Sequence, residues 1–230
     1  VGFKLTSSRF FNRSKGRNCD MKIVFLGDSI TDMGRDRTAD LTAFSYGASY
    51  VYLITAKLAK ENPGKFEIYN RGVSGDRIVD AYARIKKDVW NLKPDVLSIF
   101  IGINDVLHEV LAGNGVDIIR YENVYRTLIK ETLERLPNVK IVLMAPYVYD
   151  GSLTEENREE FNAVADYAKV VEKLAGEFGL MFIPLQKKLD EYVNKYGADK
   201  FSYDGVHPDL AGSMVIAEAW LEKTKDVLNG

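Results

Sequence analysis

From Met21 onward the chain alternates between two hydrophobic rhythms. Short apolar runs, of the kind shown by strands buried on both faces, occur at Lys22–Leu26, Phe66–Asn70, Asp95–Ile101, Val139–Ala145 and Met181–Pro184. Between them lie longer stretches in which apolar residues recur every three or four positions. These are Tyr46–Lys60, Asp76–Leu92, Asp117–Leu136, Thr154–Phe178, a segment running to Tyr196, and Asp209–Leu228. In Asp76–Leu92 the stripe is Ile78, Ala81, Tyr82, Ile85 and Val89. Asn62-Pro63-Gly64, Lys93-Pro94, Pro137 and Gly179 end successive helices, and Thr154 is the expected N-cap of the fourth. Gly197–Pro208 reads as a loop. Strands alternating with helices predict parallel βαβ units, and so an α/β fold whose five-stranded parallel sheet carries helices on both faces. No linker or repeat interrupts 21–230, which reads as a single domain.

Composition changes this picture little. The 230 residues are 46% apolar and 28% charged, ordinary for a water-soluble globular chain. A net charge of −2 offers no footprint for nucleic acid, and no apolar stretch has the length of a membrane span. Residues 1–20 stand apart, with Lys4, Arg9, Arg13, Lys15 and Arg17 against a lone Asp20. They read as an upstream tail or expression remnant. They hold no apolar run suited to a signal peptide, so a cytoplasmic location is expected, with secretion left open. The only cysteine, Cys19, lies in that tail, so an intrachain disulfide is ruled out.

In open parallel sheets, ligands bind beyond the carboxyl ends of the strands. Four residue groups are predicted to converge there: Gly27-Asp28-Ser29-Ile30-Thr31-Asp32, Asn70-Arg71-Gly72-Val73-Ser74-Gly75-Asp76, Gly102-Ile103-Asn104-Asp105 and Asp204-Gly205-Val206-His207-Pro208. Ester hydrolysis needs a nucleophile, a base and a group that orients the base. The chain has two histidines, His108 and His207. His207 follows Asp204 by three residues, which lets the carboxylate hold Nδ1 and leaves Nε2 free for Ser29. The Ser29 amide, the Gly75 amide and the Asn104 side chain are candidate donors to an oxyanion. Ser74 is the rival nucleophile, but Asp76 leaves its G-x-S-x-G pattern incomplete. His108 is expected at an exposed loop or helix start, and Asp28 and Asp32 are expected to bind turn amides. No cluster has metal-ligand spacing, and the chemistry calls for no cofactor.

At these residues the chain resembles the SGNH hydrolases, the GDSL esterase/lipase family. Gly27-Asp28-Ser29 resembles the block that carries the family nucleophile, Gly75 and Asn104 resemble its oxyanion residues, and Asp204 with His207 resembles its remaining triad members. The resemblance spans 21–230 and implies a three-layer α/β/α sandwich of flavodoxin-like topology. Gly-Asp-Ser-Ile-Thr-Asp, Ser-Gly-Asp-Arg, Ile-Gly-Ile-Asn-Asp-Val and Val-His-Pro with a following Ala-Gly look most like the family's bacterial acetylxylan esterases. A tryptophan often follows Asn-Asp-Val in that group, whereas Leu107 and His108 stand here. The resemblance implies a serine esterase acting on small-molecule or oligosaccharide esters, with acetyl groups on sugars expected. Tyr46, Tyr147, Tyr149 and Tyr203 are expected to wall the site. Two other readings are a lysophospholipase or thioesterase taking longer acyl chains, and a non-catalytic flavodoxin-like module binding phosphate. The chain is compatible with a homo-oligomer.

Overall fold

The computed structural model describes residues 19–229. The expected tail, 1–20, lies outside the described residues apart from Cys19 and Asp20. The strands are β1 (Met21–Gly27), β2 (Phe66–Gly72), β3 (Val96–Phe100), β4 (Lys140–Met144) and β5 (Met181–Ile183). They form one parallel sheet in the order β2-β1-β3-β4-β5. Gly27 pairs with Gly72 on one side and Phe100 on the other, so β1, β2 and β3 end level with one another. This common rim carries the first three residue groups singled out above.

The sheet is covered on both faces, which is why its strands read as apolar runs. Ile23, Val24, Phe25 and Leu26 have no solvent exposure, and every residue of β3 is buried. The one polar side chain of β3, Ser98, accepts a hydrogen bond from Trp220 Nε1 at 3.1 Å and donates to Met144 Sδ at 3.2 Å. Trp220 itself is fully buried, with its ring 5.0 Å from that of Phe25. It sits on α9 (Leu210–Asn229), which packs with α2 (Tyr50–Glu61) and α8 (Leu185–Tyr196). On the opposite face α3 (Ile78–Ile85), α5 (Ile118–Arg135) and α7 (Val164–Phe178) pack together. The result is the three-layer α/β/α arrangement in flavodoxin order.

Three helix expectations need correction. The helix expected from Tyr46 starts at Tyr50, because Ser49 Oγ accepts the Val51 amide at 3.1 Å and takes the cap. Ala43–Tyr46 is a separate 3₁₀ turn. The helix expected over Thr154–Phe178 is broken into a 3₁₀ turn at Glu155–Asn157, the short α6 (Arg158–Phe161) and α7. Thr154 is not its cap: the hydroxyl donates to Tyr149 O at 2.6 Å and accepts from Gly151 N at 3.0 Å, bracing a loop instead. The polar stretch at 155–160 has no apolar stripe to hold a continuous helix. Finally, α4 (Ile103–Ala112) has no counterpart among the expected helices, and it begins at the Gly-Ile-Asn-Asp motif itself.

Candidate active site

The chain leaves β1 through Asp28 into α1 (Ser29–Asp32), a single helical turn. Asp28 caps it, Oδ1 accepting the Ile30 amide at 3.0 Å. The Asp28 carboxyl has no exposure, and burial pushes its pKa up to about 7. Ser29 opens the turn, half-buried. Among the described residues its backbone amide donates to no other protein group, as expected for the first residue of a helix.

The second contribution arrives from 178 residues away. His207 Nε2 lies 2.8 Å from Ser29 Oγ, and His207 Nδ1 lies 2.7 Å from Asp204 Oδ2. The other Asp204 oxygen accepts the backbone amides of His207 at 2.7 Å and Val206 at 2.9 Å. One carboxylate thus orients both the ring and the backbone that bears it. Burial works against the Asp204 charge, but the His207 side chain and the His207 and Val206 amides outweigh it and hold the carboxylate below its usual range. The hydrogen bond that His207 donates to Asp204 in turn raises the imidazole above its ordinary value, against the opposing pull of burial. With Nδ1–H donating to the Asp204 carboxylate, Nε2 is left to accept from the Ser29 hydroxyl.

The histidine loop is held from outside the sheet. Ser202 Oγ donates to His207 O at 2.8 Å and accepts Gly205 N at 3.0 Å. Tyr149 N donates to Gly205 O at 2.9 Å, and Leu153 N to Asp204 O at 3.1 Å. Gly205 has φ +91°, and a Cβ there would lie 2.3 Å from Tyr149 O and 2.4 Å from Thr154 Oγ1. The connection after β4 is therefore the seat on which Asp204 and His207 rest.

Gly75 and Asn104 are brought to the same rim. Gly75 has φ +86°, and the space where a Cβ would project holds no atom within 4 Å. Its amide donates to no other protein group among the described residues. Asn104, buried in the first turn of α4, donates one Nδ2 hydrogen to Asp76 O at 3.1 Å. Next to it, Asp105 accepts the Ile78 amide on both carboxyl oxygens, at 3.1 and 3.2 Å. Burial pushes the Asp105 carboxyl up to about 8. Asp105 stands in the Gly-Ile-Asn-Asp group, but nothing in the pattern of residues marks the helix that buries it.

The remaining candidates separate from this group. Ser74 is exposed, and its hydroxyl and amide both donate to Asp32 Oδ2, at 3.0 and 3.1 Å, rather than to a histidine. Asp32 also pairs with Arg37. His108, expected at an exposed loop or helix start, is instead half-buried inside α4, one turn past Asn104, and makes no hydrogen bond to Ser29, Asp204 or His207. Two of the expected wall tyrosines are core residues instead: Tyr147 is 1% exposed, and Tyr149 is buried with its hydroxyl donating to Asp190 Oδ1 at 2.7 Å. The Tyr149 tip is sealed in with a partner, whereas the Tyr147 hydroxyl is buried without one among the described residues. Tyr46 is half-buried. Tyr203 is 64% exposed and lies nearly parallel to the His207 ring, centroids 6.2 Å apart. Among the described residues no three His, Cys, Asp or Glu side chains gather as a metal-ligand set, and no helix is long and apolar enough to cross a membrane.

Comparison with known proteins places these features in context. Residues 25–215 match the GDSL-like Lipase/Acylhydrolase family. An acetylxylan esterase of Geobacillus stearothermophilus is 34% identical over 209 residues, 88% of this chain and 93% of that protein. Its crystal structure superposes with a TM-score of 0.79, covering 90% of this chain and 95% of the other. A protein of Parabacteroides merdae, described as a GDSL-like lipase, superposes with a TM-score of 0.85 at 38% identity, over 90% of this chain and 96% of its own.

Proposed function

The chain belongs to the GDSL-like lipase/acylhydrolase family and is a carboxylic ester hydrolase, and from that premise we propose that it removes short acyl groups, above all acetyl, from carbohydrate hydroxyls through Ser29, His207 and Asp204. The observation that carries this reading is the unbroken relay from Ser29 Oγ to His207 Nε2 and from Nδ1 to Asp204 Oδ2, at 2.8 and 2.7 Å. Ser29 Oγ adds to the ester carbonyl carbon as its proton passes to Nε2. The oxyanion so formed meets the Ser29 and Gly75 amides and the second Nδ2 hydrogen of Asn104. Collapse expels the alcohol, which takes the proton from Nε2 and leaves an acyl-serine. Water then adds to the acyl carbon, giving its proton to Nε2. The second collapse releases the acid and returns a proton to Ser29. Asp204 stays ionised throughout, fixing the tautomer and steadying the imidazolium.

Two further points support the reading. The Geobacillus esterase has been studied as catalytic mutants at a serine, an aspartate and a histidine, the last two three positions apart, as Asp204 and His207 are. That protein is also described as an acetyl-xylooligosaccharide esterase. Because His207 protonates the departing alcohol, the exposed Tyr203 face beside it stands on the alcohol side, where it suits a sugar ring. The competing reading, a longer acyl chain, has in its favour the exposed Leu210 and Met214, one turn apart on α9.

The test is a rate series on p-nitrophenyl acetate, butyrate, octanoate and palmitate, with acetate release from acetylated xylo-oligosaccharides alongside. Acetate should be cut fastest and the oligosaccharides deacetylated. A maximum at octanoate or beyond would replace this reading with the lipolytic one. In the same assay Ser29→Ala should be silent, while Ser74→Ala keeps most of its turnover.

A further inference from the structure

Arg84 lies on α3, outside all four sequence motifs, with a side chain only 17% exposed. Its guanidinium reaches four acceptors. Nη2 donates to Gly27 O at 3.0 Å, Nη1 to Arg71 O at 2.7 Å and to Asp88 Oδ2 at 2.8 Å, and Nε to Asp76 Oδ2 at 2.6 Å. Asp88, four residues on along the same helix, is an ordinary helix-surface partner. The other three are not. Gly27 stands two residues before Ser29. Asp76 directly follows Gly75. Arg71 belongs to the end of β2, between those two segments.

We propose that Arg84 is a positioning residue that fastens the Ser29 turn to the Gly75 turn, keeping the nucleophile and an oxyanion donor at one fixed spacing. This rests on the roles given to Ser29 and Gly75 above. The two turns leave separate strands, and between their backbones the Val73 amide bonds Gly27 O at 3.0 Å. Arg84 adds a second donor to that same carbonyl and grips the far side of the Gly75 turn through Asp76. Gly75 has no side chain to pack, so its amide can point steadily only if its neighbours are held. On its other flank, α4 supplies the opposing anchors: Asn104 on Asp76 O and Asp105 on the Ile78 amide. Asp76 is thus gripped by its carboxylate from α3 and by its carbonyl from α4.

The chemistry requires arginine. Three acceptors lie in divergent directions, and a planar fork of five donors meets them without rearranging. A lysine would keep the charge beside Asp76, but its three donors share one nitrogen and lack the spread of the planar fork that meets Gly27 O, Arg71 O and Asp76 Oδ2 together. Burial already pushes the Asp76 carboxyl up against the opposing pull of Arg84, so losing the cation also loosens the anion's hold on its turn.

The experiment measures kcat and KM on p-nitrophenyl acetate for Arg84→Lys, Arg84→Ala and Asp88→Asn, with Tm recorded for each. Arg84→Ala should lose about 10²-fold in kcat, the scale of a ~1 Å misplacement, and Arg84→Lys about tenfold. KM should stay within about twofold in both, since only transition-state contacts are disturbed. Added guanidinium at millimolar concentration should restore part of the Arg84→Ala rate at unchanged KM, and Asp88→Asn should keep the parental kcat. A folded Arg84→Ala protein with parental kcat, or one whose loss guanidinium leaves untouched, overturns the proposal. If Arg84→Ala does not fold, Arg84→Lys decides, and parental kcat there overturns it equally. Ser29→Ala is run alongside. If it still turns over, the site reading fails and Arg84 with it; if it is silent while the Arg84 variants are unimpaired, only the Arg84 proposal fails.

Discussion

Replacing Asp204 by asparagine exchanges one oxygen for an NH₂ group, and the geometry says which oxygen. Oδ1 accepts two backbone amides, from Val206 and His207, and an asparagine carbonyl can take both over. That leaves the NH₂ facing His207 Nδ1, where Asp204 Oδ2 now sits 2.7 Å away. Two donors cannot share that contact, so Nδ1 must become the acceptor and the ring proton must move to Nε2. There it points at Ser29 Oγ, and the imidazole can no longer take the serine proton. In a serine protease the same exchange costs about 10⁴ in kcat, which is about 5 kcal/mol of barrier. We expect about 10³–10⁴ here, with Tm nearly unchanged because the backbone bonds survive. Asp204→Ala separates the two functions. It also strips the acceptor from both amides, each bond to a charged group being worth about 1.5 kcal/mol or more. A loss of about 3 kcal/mol in a domain of this size lowers Tm by roughly 6–12 °C. Steady-state kinetics on p-nitrophenyl acetate and thermal melts measure both quantities, and ¹⁵N chemical shifts of the imidazole report the tautomer directly. An asparagine variant within tenfold of the parental kcat, or one that melts as low as the alanine variant, would refute the argument.

Three further outcomes follow from the same geometry. With His207 as the proposed base, the reaction needs it neutral, and its pKa is raised by Asp204, so kcat/KM should be high above that value and fall as pH drops through it, the midpoint lying above the ~6.5 of free imidazole. Asp28, at about 7, titrates in the same window, but Asp28→Asn should keep the acid limb; its disappearance in that variant would assign the limb to Asp28. Asn104→Ala should cost about 10²–10³ in kcat, the measured scale for one positioned oxyanion donor, and an unchanged kcat with chemistry rate-limiting would remove Asn104 from the mechanism. Gly205→Ala should lower both Tm and kcat, because its Cβ must displace Tyr149 O or Thr154 Oγ1; a variant with parental melting would show the histidine loop to be less firmly seated than its contacts indicate.

Strands β1, β3 and β4 were legible because burial on both faces turns a strand into an apolar run, and the partly buried edge strands β2 and β5 still showed as short runs with apolar residues. Ser29, Gly75 and Asn104 were legible for a related reason: each follows such a run, and parallel strands deliver their ends to one rim. What pattern reading missed lies where polar residues are buried. The first turn of α4 encloses Asn104 and Asp105, so it shows no outward polar face to pair with an inward apolar one. Thr154 looked like a cap because threonine often is one; its true acceptor, Tyr149 O, is five residues back and found only in three dimensions. Tyr147 and Tyr149 could face either way on sequence grounds, and the closure of the loop after β4 decided it. Arg84 gave no signal, since an arginine on the polar side of an amphipathic helix is the commonest sight in any sequence.

The seating of the histidine loop bears on how this protein ages with heat. Ser29, Gly75 and Asn104 closely follow β1, β2 and β3, which pair side by side, so the sheet itself keeps them near one another. Asp204 and His207 hang instead from a handful of hydrogen bonds to the connection after β4. A local opening that frees this loop exposes Phe201 and Val206 but leaves the sheet intact, so it requires less free energy than global unfolding. With Ser29, His207 and Asp204 as the proposed triad, activity is expected to fail at a lower temperature than the fold, so that a population still native by circular dichroism is already catalytically mute. Any effort to extend the useful range of the molecule begins at residues 147–154 and 201–208, whose contacts hold the histidine loop, rather than in the sheet.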